Sequence, residues 1–142
     1  MDLMTWLVWS LLSAVFAAIT AILAKKGVVG IDANLATAVR TSVVVIFTWL
    51  LAFATRSAAP FQHFTSKTWL FLALSGLATG LSWLCYFRAL QMGEASRVAP
   101  IDKLSVVFVI VLATLFLGEK LTVGKSVGVV LIAAGAIAIA LD

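Results

Sequence analysis

The sequence predicts an all-α integral membrane protein, a bundle of five transmembrane helices. Three observations predict it. Of the 142 residues, 63% are hydrophobic and only 11% are charged. Mean hydropathy is +1.17, far above what a water-soluble domain of this size can present on its surface. The apolar residues also fall into five runs with short polar connections. Each run is close to the ~20 residues that a helix rising 1.5 Å per residue needs to cross a ~30 Å hydrocarbon core.

Taken in order, the first span covers about 4–24 and is closed by Lys25 and Lys26. Its apolar stretch is too long for a cleavable leader and no Lys or Arg precedes it, so it is expected to remain a helix. The second span, about 33–55, is closed by Arg56, and the third covers about 69–90. The fourth covers about 98–117 and the fifth about 123–141. All five are too long and continuous for barrel strands. The connections are short enough to make successive helices antiparallel neighbours. The longest, "RSAAPFQHFTSKT" over 56–68, contains Pro60, which stops helix. Phe61 and Phe64 suit the headgroup layer, and Trp6, Trp9 and Trp69 read as interfacial anchors. His63, the one histidine, reads as a solvated loop residue with no second metal ligand near it. The single cysteine, Cys85, cannot form an intrachain disulfide and is expected to serve packing.

The net charge of +4 does not mark a nucleic-acid binder, because the ten Lys and Arg gather at span ends. On the side holding the N-terminus fall Arg56, Lys67, Lys120 and Lys125; on the other, Lys25, Lys26, Arg88 and Arg97. Four against four is a weak bias, and such a bias permits insertion in both orientations. With an odd number of spans, an antiparallel homodimer would then supply both halves of an inverted repeat from one sequence. The competing reading is a single orientation fixed by other cellular factors. Small residues mark faces for close helix approach: Gly76 and Gly80 in span three, Ser13, Ala17 and Ala21 in span one, and Gly124, Gly128 and Gly135 in span five. Such faces serve either packing within the bundle or a partner. The last helix is the freest for a partner, so Gly128 and Gly135 are the expected dimer contacts.

Two charges stand inside the spans. Arg40 lies fifteen residues from Thr55, and Asp102 fifteen residues from Leu117. At 1.5 Å per residue both sit ~22 Å from one membrane face and ~8 Å below the other. Opposite in sign and matched in depth, they are expected to meet each other or a wet cavity. Lys103 is close enough to the surface to snorkel. A plainer reading makes Asp102 a helix-start residue, two positions after Pro100 and favoured by the helix dipole. The aromatic residues Trp83, Tyr86 and Phe87 of span three either line that cavity or pack.

The stretch "YFRALQMGEASRVAPIDKLSVVFVIVLATLFLGEKLTVGKSVGVVLIAAG" resembles the second part of an EamA domain, the repeat unit of the drug/metabolite transporter superfamily. The matching features are an aromatic-rich third helix ending in Arg88-Ala89-Leu90, Pro100 in helix four, Gly118-Glu119-Lys120-Leu121 after it, and a Gly-spaced last helix. "SAVFAAITAILAKKGV" and "NLATAVRTSVVV" fit the first two helices. The resemblance covers nearly the whole chain, but most such transporters carry two of these domains and this chain carries one. It implies a transporter of a small metabolite or drug in the bacterial inner membrane, working as an antiparallel homodimer by alternating access, with or without a coupling ion. A salt-bridge gate between Arg40 and Asp102 fits this better than a free proton carrier. Arg40 and Lys103 lie nearer the side opposite the N-terminus and raise its count to six; that excess of cations favours an anionic or zwitterionic cargo, though anionic lipid headgroups explain the same residues. A lipid-carrier flippase and a non-transporting subunit of a heteromeric complex remain the alternatives. No nucleophile–histidine pair, metal-ligand cluster or phosphate loop points to an enzyme or a cofactor.

Overall fold

Each helix in the computed structural model begins and ends where the local chemistry changes. The structure describes residues 3–55 and 64–142; Arg56, Pro60, Phe61 and His63 lie outside them. Among the described residues there are helices and no strands: α1 (Leu3–Gly27), α2 (Ala33–Ala54), α3 (Ser66–Met92), α4 (Ala95–Asp102), α5 (Ser105–Phe116) and α6 (Val123–Leu141). With α4 and α5 taken together, five segments are long and apolar enough to span a membrane: 5–27, 33–54, 66–92, 95–116 and 123–141.

The chain divides into two units, one comprising 1–25 with 92–142 and the other 26–91. In the second, α1 runs out at Gly27 and the chain turns through Gly30, whose φ of 72° suits a residue without Cβ. Asp32 then caps α2: its Oδ1 accepts the N–H groups of Asn34 at 2.9 Å and Leu35 at 3.1 Å. The turn is closed from the far end of α3, where Gln91 Nε2 donates to the carbonyl of Ile31 at 2.6 Å and of Val28 at 3.4 Å. The buried residues Val28, Ala33, Thr37, Phe87 and Leu90 all lie toward this end of the unit. Thr37 hides its hydroxyl by donating to the Ala33 carbonyl at 2.7 Å. The opposite end carries exposed aromatics: Trp49 stacks on Phe53 at 5.6 Å and Phe64 tilts against Trp69 at 5.4 Å. A ring belt of this kind suits the headgroup layer.

In the first unit, α4 and α5 pack against α6. The span expected to run unbroken over 98–117 starts earlier, at Ala95, and is interrupted at Lys103 and Leu104. Pro100 lies three residues before the break. It withholds the N–H that would bond back four residues, and its ring crowds that turn. The ladder crosses the break with bonds three residues long: Lys103 to Pro100 at 3.1 Å, Leu104 to Ile101 at 3.0 Å, Val106 to Lys103 at 3.1 Å and Val107 to Leu104 at 2.9 Å. Such tightening is the 3₁₀ pattern that marks strain inside a helix. Gly118, with φ of 67°, ends the segment. Thr122 Oγ1 caps α6 by accepting the Lys125 N–H at 3.3 Å, and Lys125 Nζ meets Glu119 at 3.1 Å. The less exposed positions of α6, among them Ser126, Val129, Ala133, Ala136 and Ala140, recur every three or four residues as one face. The long apolar side chains of both units are mostly exposed within the chain, which only a lipid solvent makes tolerable.

Candidate functional site

The α2 helix places Ala33, Thr37 and Arg40 on one face through steps of four and three residues. On α3, Trp83, Phe87 and Leu90 share a face through the same steps. Phe87 and Leu90 are buried, Trp83 is half-buried, and Arg40 reaches them from α2. Its guanidinium carbon lies 4.3 Å from the Trp83 ring centre and 5.4 Å from that of Phe87. Both distances are inside the ~6 Å reach of a cation–π contact. Tyr86 is half-buried beside them and within electrostatic reach of Arg40.

The depth of this cluster follows from the helix register. Gln91 is level with the turn, because its amide bonds Ile31 there. Counting 1.5 Å per residue down α3, Phe87 is ~6 Å and Trp83 ~12 Å beyond Gln91. The guanidinium rests nearer the deeper ring. An arginine snorkelling to the surface would run past Phe87 toward Gln91; this one stays within reach of both Trp83 and Phe87. The charge also has no carboxylate of its own unit to meet. Between residues 26 and 91 the one acidic residue is Asp32, already engaged in capping α2.

Asp102 is placed differently. It is the last residue of α4, half-buried, and accepts from the adjacent Lys103 Nζ at 3.2 Å. Because the helix begins at Ala95, Asp102 is not in its first turn, and the dipole that favours it is that of α5, starting at Ser105. Arg40 and Asp102 thus each have a partner within their own unit. In the same unit Glu94 pairs with Arg97 at 3.7 Å and Glu119 with Lys125 at 3.1 Å.

On α6 Gly135 is exposed and Gly128 is half-buried, like its neighbour Val129. A Cβ added at either would meet nothing within 4 Å. Cys85, expected to be packed, is exposed on α3. Among the described residues no group of three His, Cys, Asp or Glu stands together as a metal site.

The contact between Arg40 and Trp83 was not anticipated from the sequence, although a signal for it exists. Arg40 is fifteen residues from Thr55, and Trp83 is fourteen from Trp69. The depth count that matched Arg40 with Asp102 matches it equally with Trp83, on the very next helix. The Gln91 clamp, and the bond from Lys25 Nζ to the Gly93 carbonyl at 2.7 Å, carry no comparable sequence signal.

Comparison with known proteins agrees with the resemblance. The EamA-like transporter family matches residues 4–141. The chain is similar to an uncharacterized transporter in the cobO 3' region of Sinorhizobium sp, 52% identical over 136 residues, which cover 96% of each chain. No solved structure matches it. The chain belongs to the EamA-like transporter family and is a single, half-size EamA domain.

Proposed function

We propose that this family member, a multi-pass membrane protein, moves a small metabolite or drug across the bacterial inner membrane as an antiparallel homodimer that exposes a shared cavity to each side in turn. The observation that carries the reading is the Arg40 guanidinium resting on Trp83 below the level of the surface. Membrane proteins keep ionisable groups at depth chiefly where they line a path for a polar cargo. Arg40, Trp83, Tyr86 and Phe87 are the cavity residues of this proposal. Asp102 and Lys103, beside the Pro100 break, are its gate. The short 3₁₀ stretch gives α4 the freedom to move as the cavity closes on one side.

The second copy is proposed because one half-size repeat supplies only half of a two-repeat transporter. Its contact is at Gly128 and Gly135 of α6, where two backbones can approach closely. Flux tests the function directly. Purified protein in proteoliposomes, screened against pooled metabolites, is expected to show uptake that Arg40→Gln lowers by about tenfold to a hundredfold. Dimer in native mass spectrometry is expected to fall in the Gly128→Leu/Gly135→Leu double variant. Accessibility tagging near Asp142 should label both membrane faces. Labelling on one face alone would end the antiparallel reading. Stoichiometric recovery with a different small membrane protein would replace the homodimer with a heteromer.

A further inference from the structure

We propose that the cargo carries a single carboxylate, and that this carboxylate docks on the Arg40 guanidinium, which Trp83 and Phe87 hold for it. The inference rests on the transport reading above and deepens it by naming the chemical class. Four observations carry it. The guanidinium carbon lies over the Trp83 ring at 4.3 Å and the Phe87 ring at 5.4 Å, a contact that involves no carboxylate, while the guanidinium's five N–H donors form a planar fork matched to a two-oxygen acceptor. Within its unit no carboxylate is free to take them, since Asp32 caps α2. The guanidinium carbon stays within 4.3 Å of the ring centre of Trp83, a residue ~12 Å along α3 from Gln91, which favours a cargo inside the bundle over a headgroup phosphate at the interface. Finally, within residues 26–91 the charge at this level is single. Arg88 is next to Phe87 in sequence, about 100° round the helix, and is exposed; Lys26 precedes the turn. One positive charge balances one negative charge, whereas a phosphate dianion would leave an uncompensated charge at depth, which is costly.

The pre-formed cradle matters for affinity. A free arginine loses side-chain freedom when it binds an anion. One already laid on two rings has lost most of it before the cargo arrives.

Binding can be read without flux. A variant with Trp6, Trp9, Trp49 and Trp69 changed to Phe leaves Trp83 as the only tryptophan, and its emission reports on the cradle. In nanodiscs of neutral phosphatidylcholine, the probes are sodium butyrate and phenylacetate, each against its amide, with inorganic phosphate at equal ionic strength. The carboxylates are expected to change Trp83 emission and raise the melting temperature; the amides and phosphate are not. Arg40→Gln should weaken the carboxylate response by about tenfold or more. Arg40→Lys, which keeps the charge but not the fork, should weaken it less, and it serves if Arg40→Gln does not fold. An equal response to acid and amide, a stronger response to phosphate, or a response that survives Arg40→Gln overturns the inference. So does its disappearance in nanodiscs containing anionic phosphatidylglycerol, which would assign Arg40 to lipid. Carboxylate binding without flux leaves the inference standing and removes the transport reading. Flux of a cargo lacking a carboxylate, with no carboxylate binding, does the reverse.

Discussion

Arg40 and Asp102 occupy the same counted depth and carry opposite charges, yet they are accommodated in different ways. Asp102 relies on its neighbour in sequence. Lys103 answers its charge at 3.2 Å, and the Pro100 break beside it loosens the helix so that the two can meet. Arg40 relies on another helix, and on rings rather than an opposite charge. The difference lies in what each arrangement leaves unused. A carboxylate beside an ammonium is neutralised, and an exposed pair of this kind contributes little to stability. A guanidinium on two rings keeps its full charge and its N–H donors. The first arrangement suits a group that changes partner; the second suits one that waits for a ligand.

The largest test of that contrast is Arg40→Gln. Its loss of flux should be about tenfold to a hundredfold, the worth of charge-assisted hydrogen bonds, while folded yield in detergent stays near wild type because no charge is left stranded. Pro100→Ala comes next. It restores an N–H inside the segment, and the gain in helix stability should approach the ~3 kcal/mol that separates the two residues in a helix interior. Slower amide exchange at residues 103–107 would show it, together with slower transport if the break serves movement. Trp83→Leu leaves the charge but removes half its cradle. It should cost about 0.5–2 kcal/mol in thermal unfolding and weaken cargo binding while leaving the Asp102 region unaffected. Smallest is Asp102→Asn, with an effect on stability below about 1 kcal/mol, and Lys103→Gln should be no larger. The contrast breaks if Asp102→Asn stops flux as completely as Arg40→Gln does, and if the exchange of Asp102→Arg with Arg40→Asp then recovers part of it. The two charges would be one device rather than two.

Much of the fold was legible because lipid makes the sequence signal coarse. Five apolar runs of spanning length can form little other than helices, and the runs at 33–55 and 123–141 match α2 and α6 to within a residue. The break at Lys103 has a sequence signal in the two charges of Asp102 and Lys103, which interrupt the apolar run there, and in Pro100 three residues before it. The start at Ala95 has none, because Ser96 and Arg97 look like loop residues while forming the first turn of α4. At the site, Arg40, Trp83 and Phe87 were all singled out from the sequence. What escaped was the contact between them, since charge was weighed only against opposite charge. A cation–π partner has no sign to read, and it is found only by counting depth along both helices.

The ring cradle has a consequence for the order in which the protein is made. Translation delivers α2 with its cation well before Trp83 and Phe87 exist, and the Gln91 amide that closes the turn arrives sixty residues after Ile31. Lys25 waits longer still, sixty-eight residues, for the carbonyl of Gly93. For that interval the nascent α2 carries its arginine without the rings. The burden is below the ~2.5–3.5 kcal/mol of a cation at mid-bilayer, because Arg40 lies nearer one face, and it is set against the hydrophobicity of the helix's own Val, Ile, Leu and Phe. The emergence of α3 is then expected to strengthen the hold of α2 on the membrane, the second helix covering the cation of the first.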